Sequence, residues 1–386
     1  MSKLETLIQQ LCPDGVEYKK LGDIATITRG GNLQKKDFTD TGIPCIHYGQ
    51  IYTKYGLFAN KTFTFISEQS ASKQKYAEPN DIVMAVTSEN LEDVCKCVAW
   101  LGDVPAAVSG HTAIIHHSQN PKYLCYYFHS GHFQNQKNRM AHGTKVIEVT
   151  PNKLTDILLP VPPLEVQGEI VRILDNFTEL TAELTAELTA RKKQFDYYRD
   201  FLLSVGVNET TESLKTCCKL SRGEYITKKD AIPGDIPVIL GGQEPAYYIN
   251  KYNHTGEAIV ISRSGASAGF VSYWNEPIFV TDGFIVEGTE QVHIRYLYHF
   301  LKNYQEKLNK MKRGGGVPHI TGKNIGEIAV PVLPYQKQKE ISRVLDSFDV
   351  LCNDLTNGLP AEIAARQKQY EYYRDKLLTF NKERLF

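Results

Sequence analysis

Apolar side chains recur along two stretches of the chain at alternating steps of three and four residues, the spacing of a coiled-coil seam. The first seam runs from Leu174 to Leu202 and predicts one long helix over residues 164–203, beginning after the prolines of residues 160–163. The second seam runs from Leu345 to Leu377. The side chains that we single out along the two seams are Leu174, Phe177, Leu184, Leu188, Phe195, Tyr198, Leu345, Phe348, Leu355, Tyr370 and Tyr373.

The second seam differs from the first by one extra step of four residues. An insertion of four residues locally unwinds a coiled coil. Gly358 and Pro360 lie at the same place in the sequence, and both residue types interrupt helices. We therefore expect the second helix to be broken or kinked there.

The chain contains an internal repeat, which defines two copies of one unit of about 170–190 residues. The matched segments are residues 21–30 with 214–223, 169–175 with 340–346, and 191–203 with 366–378. Between these anchors the copies differ strongly, and Tyr48–Lys54 is expected to have no close counterpart around Gly241–Pro245. The resulting domain boundaries are 1–160, 161–204, 205–333 and 334–386.

Short runs of β-branched and apolar residues predict strands in both divergent regions, each set being followed by one helix. The fold class is therefore α+β, with two mixed α/β domains, two long helices and an internal pseudo-twofold repeat. The predicted strands are residues 23–28, 43–48, 81–86, 95–100 and 113–116 in the first region and 236–240, 258–262, 269–273 and 283–286 in the second. The predicted helices are residues 121–136 and 294–310.

Composition excludes several classes of protein. The 386 residues carry 44 basic and 44 acidic side chains and are 42% hydrophobic, which argues against both a disordered chain and a uniformly basic DNA-binding protein. The longest apolar run falls short of 18 residues and the N-terminus lacks an apolar signal segment, so we expect no membrane association and a cytoplasmic location. Eight scattered cysteines fit reduced thiols, and none forms the C-x₂-C pair of a zinc site.

Motifs for catalysis are imperfect throughout the chain. The segment from Gly316 to Asn324 imitates a phosphate-binding loop, but it has one residue too many between its glycines and Asn where Ser or Thr should hold Mg²⁺. Asp14, Glu17 and Lys19 imitate a nuclease cluster with too short a spacing, and a turn is the alternative interpretation. We therefore predict no catalytic residue and no metal site.

Signals for nucleic-acid binding are local. Residues 1–160 carry 16 basic and 15 acidic side chains, and residues 205–333 carry 14 and 13. Arginine can bind guanine through two hydrogen bonds, whereas Ser, Gly and backbone N–H groups suit phosphate. A solvated charged surface remains the alternative for any single patch. The candidate DNA-binding residues are Lys35, Lys36, Tyr48, Gln50, Lys54, Ser88, Thr144 and Lys145, and Arg222, Lys228, Gln243, Arg263, Ser264, Ser267, Lys312 and Arg313.

The duplicated architecture resembles the specificity (S) subunit of type I DNA restriction-modification systems over essentially the whole chain. The resemblance rests on Cys12–Ile24, on the related segments 160–175 and 330–346, and on both Tyr-Tyr-Arg-Asp runs. It also rests on three successive Glu-Leu-Thr-Ala tetrads in residues 179–190.

This resemblance implies two target-recognition domains, each recognising one half of a split, asymmetric site on double-stranded DNA. The domains would be joined and separated by two long antiparallel, coiled-coil-like helices, whose seam residues serve the spacer and the subunit interface. Two modification (M) subunits would dock on the helices, and restriction (R) subunits would complete the complex. The chain itself would bind no cofactor, with S-adenosylmethionine, ATP and Mg²⁺ bound by the partner subunits.

Other interpretations stay open at the level of sequence. The tetrads are either an insert that tunes helix length, at about 6 Å per tetrad, or a helix-favouring filler. The whole chain could instead be a non-catalytic coiled-coil scaffold whose two heads bind protein or glycan, or a degenerate nuclease.

Overall fold

The computed structural model describes residues 2–204, 210–229, 231–241, 244–314 and 316–380. The chain divides into two compact units, the first formed by Met1–Glu183 with Ile363–Phe386 and the second by Leu184–Glu362. Each unit takes its residues from one globular region and from parts of the long helices. The boundaries derived above follow the repeat instead, and they remain predictions.

The first unit contains short helices, short strands and the start of one long helix. A 3₁₀ turn covers Lys35–Asp37. Its α-helices are α1 (Lys3–Leu11), α2 (Leu21–Ile24), α3 (Tyr48–Thr53), α4 (Glu68–Ala71), α5 (Pro121–Phe128), α6 (Gly131–Met140), α7 (Pro151–Leu154) and the beginning of α8 (Leu164–Leu203). Its strands are β1 (Tyr18–Lys20), β2 (Ala25–Arg29), β3 (Phe38–Thr39), β4 (Ile43–Ile46), β5 (Phe58–Ala59), β6 (Thr64–Ile66), β7 (Lys75–Ala77), β8 (Ile82–Ala85), β9 (Thr87–Ser88), β10 (Cys97–Trp100), β11 (Ala106–Val108), β12 (Thr112–His117), β13 (Ile147–Glu148) and β14 (Leu158–Pro160).

Two five-stranded sheets form the globular part of the first unit, in the orders β2-β12-β8-β10-β5 and β3-β6-β4-β11-β7. All four residues of the central strand β8 are buried. Because successive side chains of a strand point to opposite faces, they contribute to two different cores. Ile82 and Met84 belong to the core formed with α5 and the start of α8. Val83 and Ala85 face the second core, which contains residues of β4 and β11. The layers are therefore helix, sheet and second sheet.

The second unit repeats this plan with fewer strands. Its strands are β15 (Thr211–Ser213), β16 (Lys219–Arg222), β17 (Ile236–Ile239), β18 (Tyr247–Ile249), β19 (Glu257–Ser262), β20 (Val271–Asn275), β21 (Phe279–Val280), β22 (Gly283–Glu287) and β23 (Ala329–Pro331). Its helices are the end of α8, α9 (Leu214–Cys217), α10 (Ile294–Asn303), α11 (Gln305–Lys310), α12 (Gly322–Gly326), α13 (Tyr335–Asn353) and the start of α14 (Leu359–Leu377), whose remainder belongs to the first unit. The sheet orders are β16-β22-β19-β20 and β18-β17-β21.

The long helices confirm the seam prediction, including its interruption. Helix α8 is continuous over 40 residues, whereas the second seam is divided into α13 and α14. Gly358 lies in the break, where a Cβ atom would come within 2.4 Å of the Val350 carbonyl oxygen. Leu355 lies in the same turn and is 80% exposed, so this seam position is not helical.

Aromatic pairs join the long helices within each unit. In the first unit the Phe177 ring of α8 stacks on Tyr373 of α14, with centroids 5.4 Å apart. In the second unit Phe195 of α8 stacks on Phe348 of α13 at 6.0 Å. Helix α8 therefore packs against α14 within the first unit and against α13 within the second.

Helix α5 contacts α8, and helix α10 contacts α13, through the same polar arrangement. In the first unit Asp175 of α8 accepts hydrogen bonds from Lys122 Nζ at 2.7 Å and from the Tyr126 hydroxyl at 2.6 Å. In the second unit Asp346 of α13 accepts a hydrogen bond from His299 Nε2 at 2.7 Å. Asp175 and Asp346 are 171 positions apart, so the repeat includes the attachment of each domain to its helix.

Two buried glutamines repeat in the same way. Gln167 Oε1 accepts a hydrogen bond from the Asn120 N–H at 3.0 Å, and Gln338 Oε1 accepts one from the His293 N–H at 2.8 Å. Each side-chain amide also donates to a carbonyl in the segment before its long helix. Both glutamines are fully buried with these polar groups satisfied, as buried amides require.

Six sequence predictions need correction, and two of them, 95–100 and 269–273, are strands that begin two residues later, at Cys97 and Val271. Residues 23–28 begin as α2 before becoming β2, and residues 43–48 leave the strand at Ile46 because His47 caps α3. The predicted helix 121–136 is two helices, since the buried Ser130 hydroxyl accepts the Phe133 N–H and starts α6. Likewise residues 294–310 form α10 and α11, with Tyr304 between them.

The expected lack of similarity around Tyr48 and Gly241 is also corrected. The sequence Ile-Pro-x-Ile-x-x-Gly-Gln begins at Ile43 and again at Ile236. Strand β4 pairs parallel with β11 and antiparallel with β6, and β17 pairs in the same two ways with β21 and β18. The copies therefore share this strand and diverge after it.

No helix in the described part of the chain is both long and apolar enough to cross a membrane.

Candidate nucleic-acid interface

In the first unit, several candidate residues meet where the chain leaves the central strand β8. The Val86 N–H donates to the His111 carbonyl at 3.0 Å, and the Val149 N–H donates to the Val86 carbonyl at 3.0 Å. Strand β9 follows directly and pairs with β13, which places Ser88 opposite Ile147. We call the surface formed by Tyr48, Thr87, Ser88, His111 and the hairpin 142–148 the first candidate surface.

An exposed histidine lies at the centre of this surface. His111 Nδ1 is 3.1 Å from the Thr87 hydroxyl oxygen. The Tyr48 ring lies against the imidazole, with centroids 4.9 Å apart. The Tyr52 hydroxyl donates to the Thr87 carbonyl at 2.6 Å, which fixes α3 against β9. Thus Tyr48 contacts His111, a residue that sequence reasoning missed.

The hairpin 142–148 carries two of the candidates at its tip. His142 and Glu148 exchange backbone hydrogen bonds of 3.0 and 2.8 Å. Gly143 has φ +109° and approaches the Val146 carbonyl so closely that a Cβ would be 2.0 Å from the oxygen. Thr144 and Lys145 follow and are exposed. The structure therefore brings Ser88, Thr144 and Lys145 to one surface through the β9–β13 pair.

A second missed residue is Arg29, at the end of β2. Its Nη2 lies 3.1 Å from Glu148, and its Nε donates to the Gly110 carbonyl at 2.9 Å. Arg222 occupies the matching end of β16, 193 positions later. Its side chain is exposed and has no bonding partner among the described residues. Because Arg222 is a candidate, the offset of the repeat could have indicated Arg29 as its counterpart.

The second unit has the same backbone arrangement with different side chains. The Arg263 N–H donates to the Asp282 carbonyl at 3.0 Å, and the Ile320 N–H donates to the Arg263 carbonyl at 2.9 Å. Arg263 Nε also donates to the Asp282 carboxylate at 2.7 Å, and the Ser264 hydroxyl donates to the other carboxylate oxygen. Four of the candidates, together with Asp282 and the hairpin that the Arg313–His319 backbone pair closes, form the second candidate surface: Arg263, Ser264, Lys312 and Arg313.

The second hairpin matches the first at an offset of 171. Arg313 and His319 exchange backbone hydrogen bonds of 3.0 and 2.9 Å, as His142 and Glu148 do. Gly314 has φ +104° where the first hairpin has Gly143. Lys312 Nζ donates to the Ala266 carbonyl at 3.2 Å, which ties the hairpin to the loop after β19.

The remaining candidates of the first unit lie around α3. Lys35 and Lys36 lie on the 3₁₀ turn, and burial, with the Lys35 and His111 charges, lowers the pKa of His47. Gln50 is buried, and its Oε1 bonds to the Thr64 hydroxyl at 3.2 Å. The Gln50 side chain therefore forms its hydrogen bond inside the protein and is not available at the surface in this structure.

Three other candidates do not join these surfaces. Lys54 follows α3, and its Nζ lies 5.5 Å from the Phe63 ring centroid. Lys228 is exposed in a turn, and half-buried Ser267 accepts the Phe270 N–H at 2.9 Å through its carbonyl. Gln243 lies outside the described residues. The structure tests none of these assignments, which remain predictions.

The seam residues differ in their burial. Leu174 and Leu345 are fully buried in the cores of their units. Tyr370 lies against Tyr126 with centroids 6.4 Å apart, and Tyr198 lies 6.0 Å from Phe348. The remaining seam leucines of the tetrads, Leu184 and Leu188, are half-buried.

One cluster of possible metal ligands occurs among the described residues, in the first unit. Cys97 and Cys125 have sulfur atoms 3.7 Å apart, and His129 Nδ1 is 3.9 Å from Cys97 Sγ. The imidazole nitrogen is already 2.8 Å from the Cys125 carbonyl oxygen, and the Cys125 thiol donates to the Leu57 carbonyl at 3.0 Å. Hydrogen bonds thus account for the cluster, and a search for C-x₂-C pairs could not have found it.

Comparison with known proteins gives one consistent result. The model of the type I restriction modification DNA specificity domain matches residues 13–191 and 208–365. A putative type I restriction enzyme specificity subunit, S.HindORF215P of Haemophilus influenzae, is 30% identical and aligns over 99% of this chain and 100% of its own. The EcoR124I/EcoR124II specificity subunit of Escherichia coli is 31% identical, with 99% and 98% covered.

Solved structures show the same fold. The crystal structure of an S subunit from M. genitalium has a TM-score of 0.59 at 17% identity and covers 94% of this chain and 96% of its own. The HsdS subunit from Thermoanaerobacter tengcongensis has a TM-score of 0.57 at 18% identity, with 95% and 97% covered. At these identities the likeness is evidence for the fold alone.

Proposed function

Because the chain belongs to the family of type I restriction-modification DNA specificity subunits, we propose that its two globular domains bind the two halves of one bipartite, asymmetric site on double-stranded DNA. A specificity subunit is non-catalytic and contributes recognition of a DNA sequence to a larger complex. The comparisons give no support to the alternative of a scaffold with protein- or glycan-binding heads.

The proposal rests on one observation above all, the two candidate surfaces. They have the same backbone hydrogen bonds but different side chains, His111 with Thr87 in one and Asp282 with Arg263 and Ser264 in the other. A repeated backbone with changed polar side chains suits two modules that bind the same polymer and recognise different bases. A site with two unlike halves follows.

Local cations support binding to the DNA backbone. Lys145, Arg222 and Arg313 lie on or beside the two surfaces, although each globular region has only one excess positive charge. A nearly neutral domain makes few phosphate contacts by itself. Partner subunits would therefore supply much of the affinity in the assembled complex.

We propose that two modification subunits dock on the long helices, one on each copy of the repeat. Two related helical surfaces in one chain fit two copies of one partner. Exposed aromatic residues support this assignment, because Tyr197 and Tyr372 are 65% and 61% exposed and 175 positions apart. S-adenosylmethionine, ATP and Mg²⁺ would bind to the modification and restriction subunits.

Deletion of the chain from its host tests the function. Methylome sequencing should show loss of every modified site that depends on this chain, and co-purification should recover a modification subunit with it. Replacement of residues 205–333 by those of another specificity subunit should change one half-site and leave the other as it was. An unchanged methylome after deletion would contradict the proposed function.

A further inference from the structure

The candidate surfaces contain one pair of equivalent positions whose side chains differ in chemistry. His111 in the first unit and Asp282 in the second each accept, at the backbone carbonyl, the N–H of the residue that follows β8 or β19, respectively. Each side chain is bonded to a hydroxyl group one residue further on, Thr87 or Ser264. The match is one of topology, because Gly110 makes the first turn one residue longer than the second.

Each side chain is oriented by hydrogen bonds to its neighbours and can still form a further hydrogen bond. His111 is exposed, and its Nε2 has no partner among the described residues. The Asp282 carboxylate is 24% exposed and accepts from Arg263 and Ser264, which leaves part of its capacity of about four hydrogen bonds. A side chain that is oriented by a neighbour and open on one side is suited to recognition of a base edge.

We propose that His111 and Asp282 determine base preference at the equivalent position of the two half-sites, an inference that rests on the proposed DNA-binding function. When the Thr87 hydroxyl donates to Nδ1, the neutral imidazole carries its proton on Nε2. His111 then donates to a base acceptor in the major groove, such as the N7 of a purine or the O6 of guanine.

Asp282 has the opposite preference. A carboxylate accepts a hydrogen bond from an exocyclic amine, the N4 of cytosine or the N6 of adenine. The Arg263 Nη groups remain beside it and suit guanine N7 and O6. The Asp282–Arg263 pair therefore matches a C·G base pair, with the acid on cytosine and the guanidinium on guanine.

Thr87 and Ser264 are positioning residues in this scheme. Each hydroxyl fixes the orientation of the recognising side chain, and neither needs to touch a base. Removal of a hydroxyl should therefore weaken discrimination at the same single position, without creating a new preference.

The test uses the full chain in complex with its modification subunits and a library of duplexes with both half-sites randomised. His111→Asp should change the preferred base at one position of the first half-site, with discrimination there altered about tenfold or more. Asp282→His should do the same at one position of the second half-site only. Thr87→Val and Ser264→Ala should flatten the preference at those same positions.

Asp103→His and Asp235→His are matched controls, because both carboxylates are exposed and have no partner among the described residues. Neither should alter any base preference. If Asp282→His fails to fold, Asp282→Asn keeps the size of the side chain, and its amide should broaden the preference at the same position.

The outcomes separate this inference from the proposed function. A wild-type complex with no sequence preference would overturn the proposed function. A wild-type complex with a clear preference, which folded variants bind more weakly but with the same preference at every position, would overturn the assignment of His111 and Asp282 alone.

Discussion

Lys137 is a fully buried lysine whose ammonium group is satisfied by backbone carbonyls. Its Nζ donates to the carbonyls of Leu91 and Glu92, at 2.7 and 3.3 Å. These residues belong to the loop that follows Ser88 on the first candidate surface. Burial lowers the pKa of Lys137, although neighbouring Cys95, Asp93 and Glu92 oppose that effect. The side chain therefore fixes the shape of a loop next to the proposed DNA contacts.

Lys137→Met should lower the free energy of unfolding by about 1–3 kcal/mol, because it removes two partly buried hydrogen bonds from a charged donor. Amide hydrogen exchange should also become faster in the loop after Ser88. Lys153→Met is the control, because exposed Lys153 also donates to a carbonyl, that of Met140, at 3.0 Å. Urea unfolding of both variants checks the prediction, and equal losses would contradict it.

Because of Asp346, we expect the stability of the folded protein to depend on pH. Burial opposes its ionisation, but hydrogen bonds from His299 and Arg295 outweigh burial and lower its pKa to about 2. The carboxyl group of the unfolded chain titrates near 3.8. Since the folded pKa is the lower one, this stabilisation is present above pH 4 and is lost as the pH falls toward 2.

Asp346→Asn should therefore lower stability at pH 7 by about 1–2 kcal/mol, a value that allows for solvent screening of a side chain that is one-third exposed. The difference from the wild type should shrink as the pH falls from 4 to 2. Thermal unfolding across this range checks both points. Asp103→Asn, at an exposed carboxylate, should change stability by less than about 0.5 kcal/mol at every pH.

The break between α13 and α14 depends on one glycine. A Cβ at Gly358 would lie 2.4 Å from the Val350 carbonyl oxygen and 2.7 Å from that of Asp354. Backbone oxygens cannot move aside as a flexible side chain would. The turn therefore requires glycine for space.

Gly358→Ala should destabilise the protein by about 1–3 kcal/mol. Gly168→Ala is the opposite case, because Gly168 lies within α8 and has nothing within 4 Å of its Cβ position. Alanine there should be neutral or stabilising by up to about 1 kcal/mol. Denaturant unfolding compares the two, and a neutral result for Gly358→Ala would show that the helix ends readily shift.

Some elements could be predicted from the sequence because their signal is local. The seam and the prolines before it predict α8 over residues 164–203, and the structure has Leu164–Leu203. The contact of Thr87 with His111 joins residues 24 positions apart through strands that neither residue reveals. Likewise His111 is one of eleven histidines, without a motif around it. Only the pairing of β8, β9, β12 and β13 distinguishes it from the others.

At the scale of the whole molecule, the repeat separates what is common from what is specific. The contacts of Asp175 and Asp346 with their domain helices recur in the two units, and so do those of Gln167 and Gln338. The candidate surfaces keep the backbone bonds and change the side chains. A chain organised in this way can exchange one recognition surface while it retains the attachment to its helices.

The tetrads of α8 can show whether helix length sets the gap between the two half-sites. Residues 179–190 lie within one continuous helix, and the side chains of Leu184 and Leu188 are half-buried. Deletion of residues 183–186 removes one tetrad and shortens the helix by about 6 Å. A base pair of B-DNA spans about 3.4 Å, so the preferred gap between the half-sites should become shorter by about one or two base pairs. Both half-sites should keep their sequences.

Methylome sequencing of a host that carries the deletion measures the gap and the half-sites together. Replacement of residues 183–186 by four alanines is the control, because it preserves helix length and should preserve the gap. An unchanged gap in the deletion variant, with methylation retained, would mean that the tetrads are only a helical filler. A shorter gap with altered half-sites would instead mean that the deletion disturbs the domains, because helix length alone has no means of changing which bases they contact.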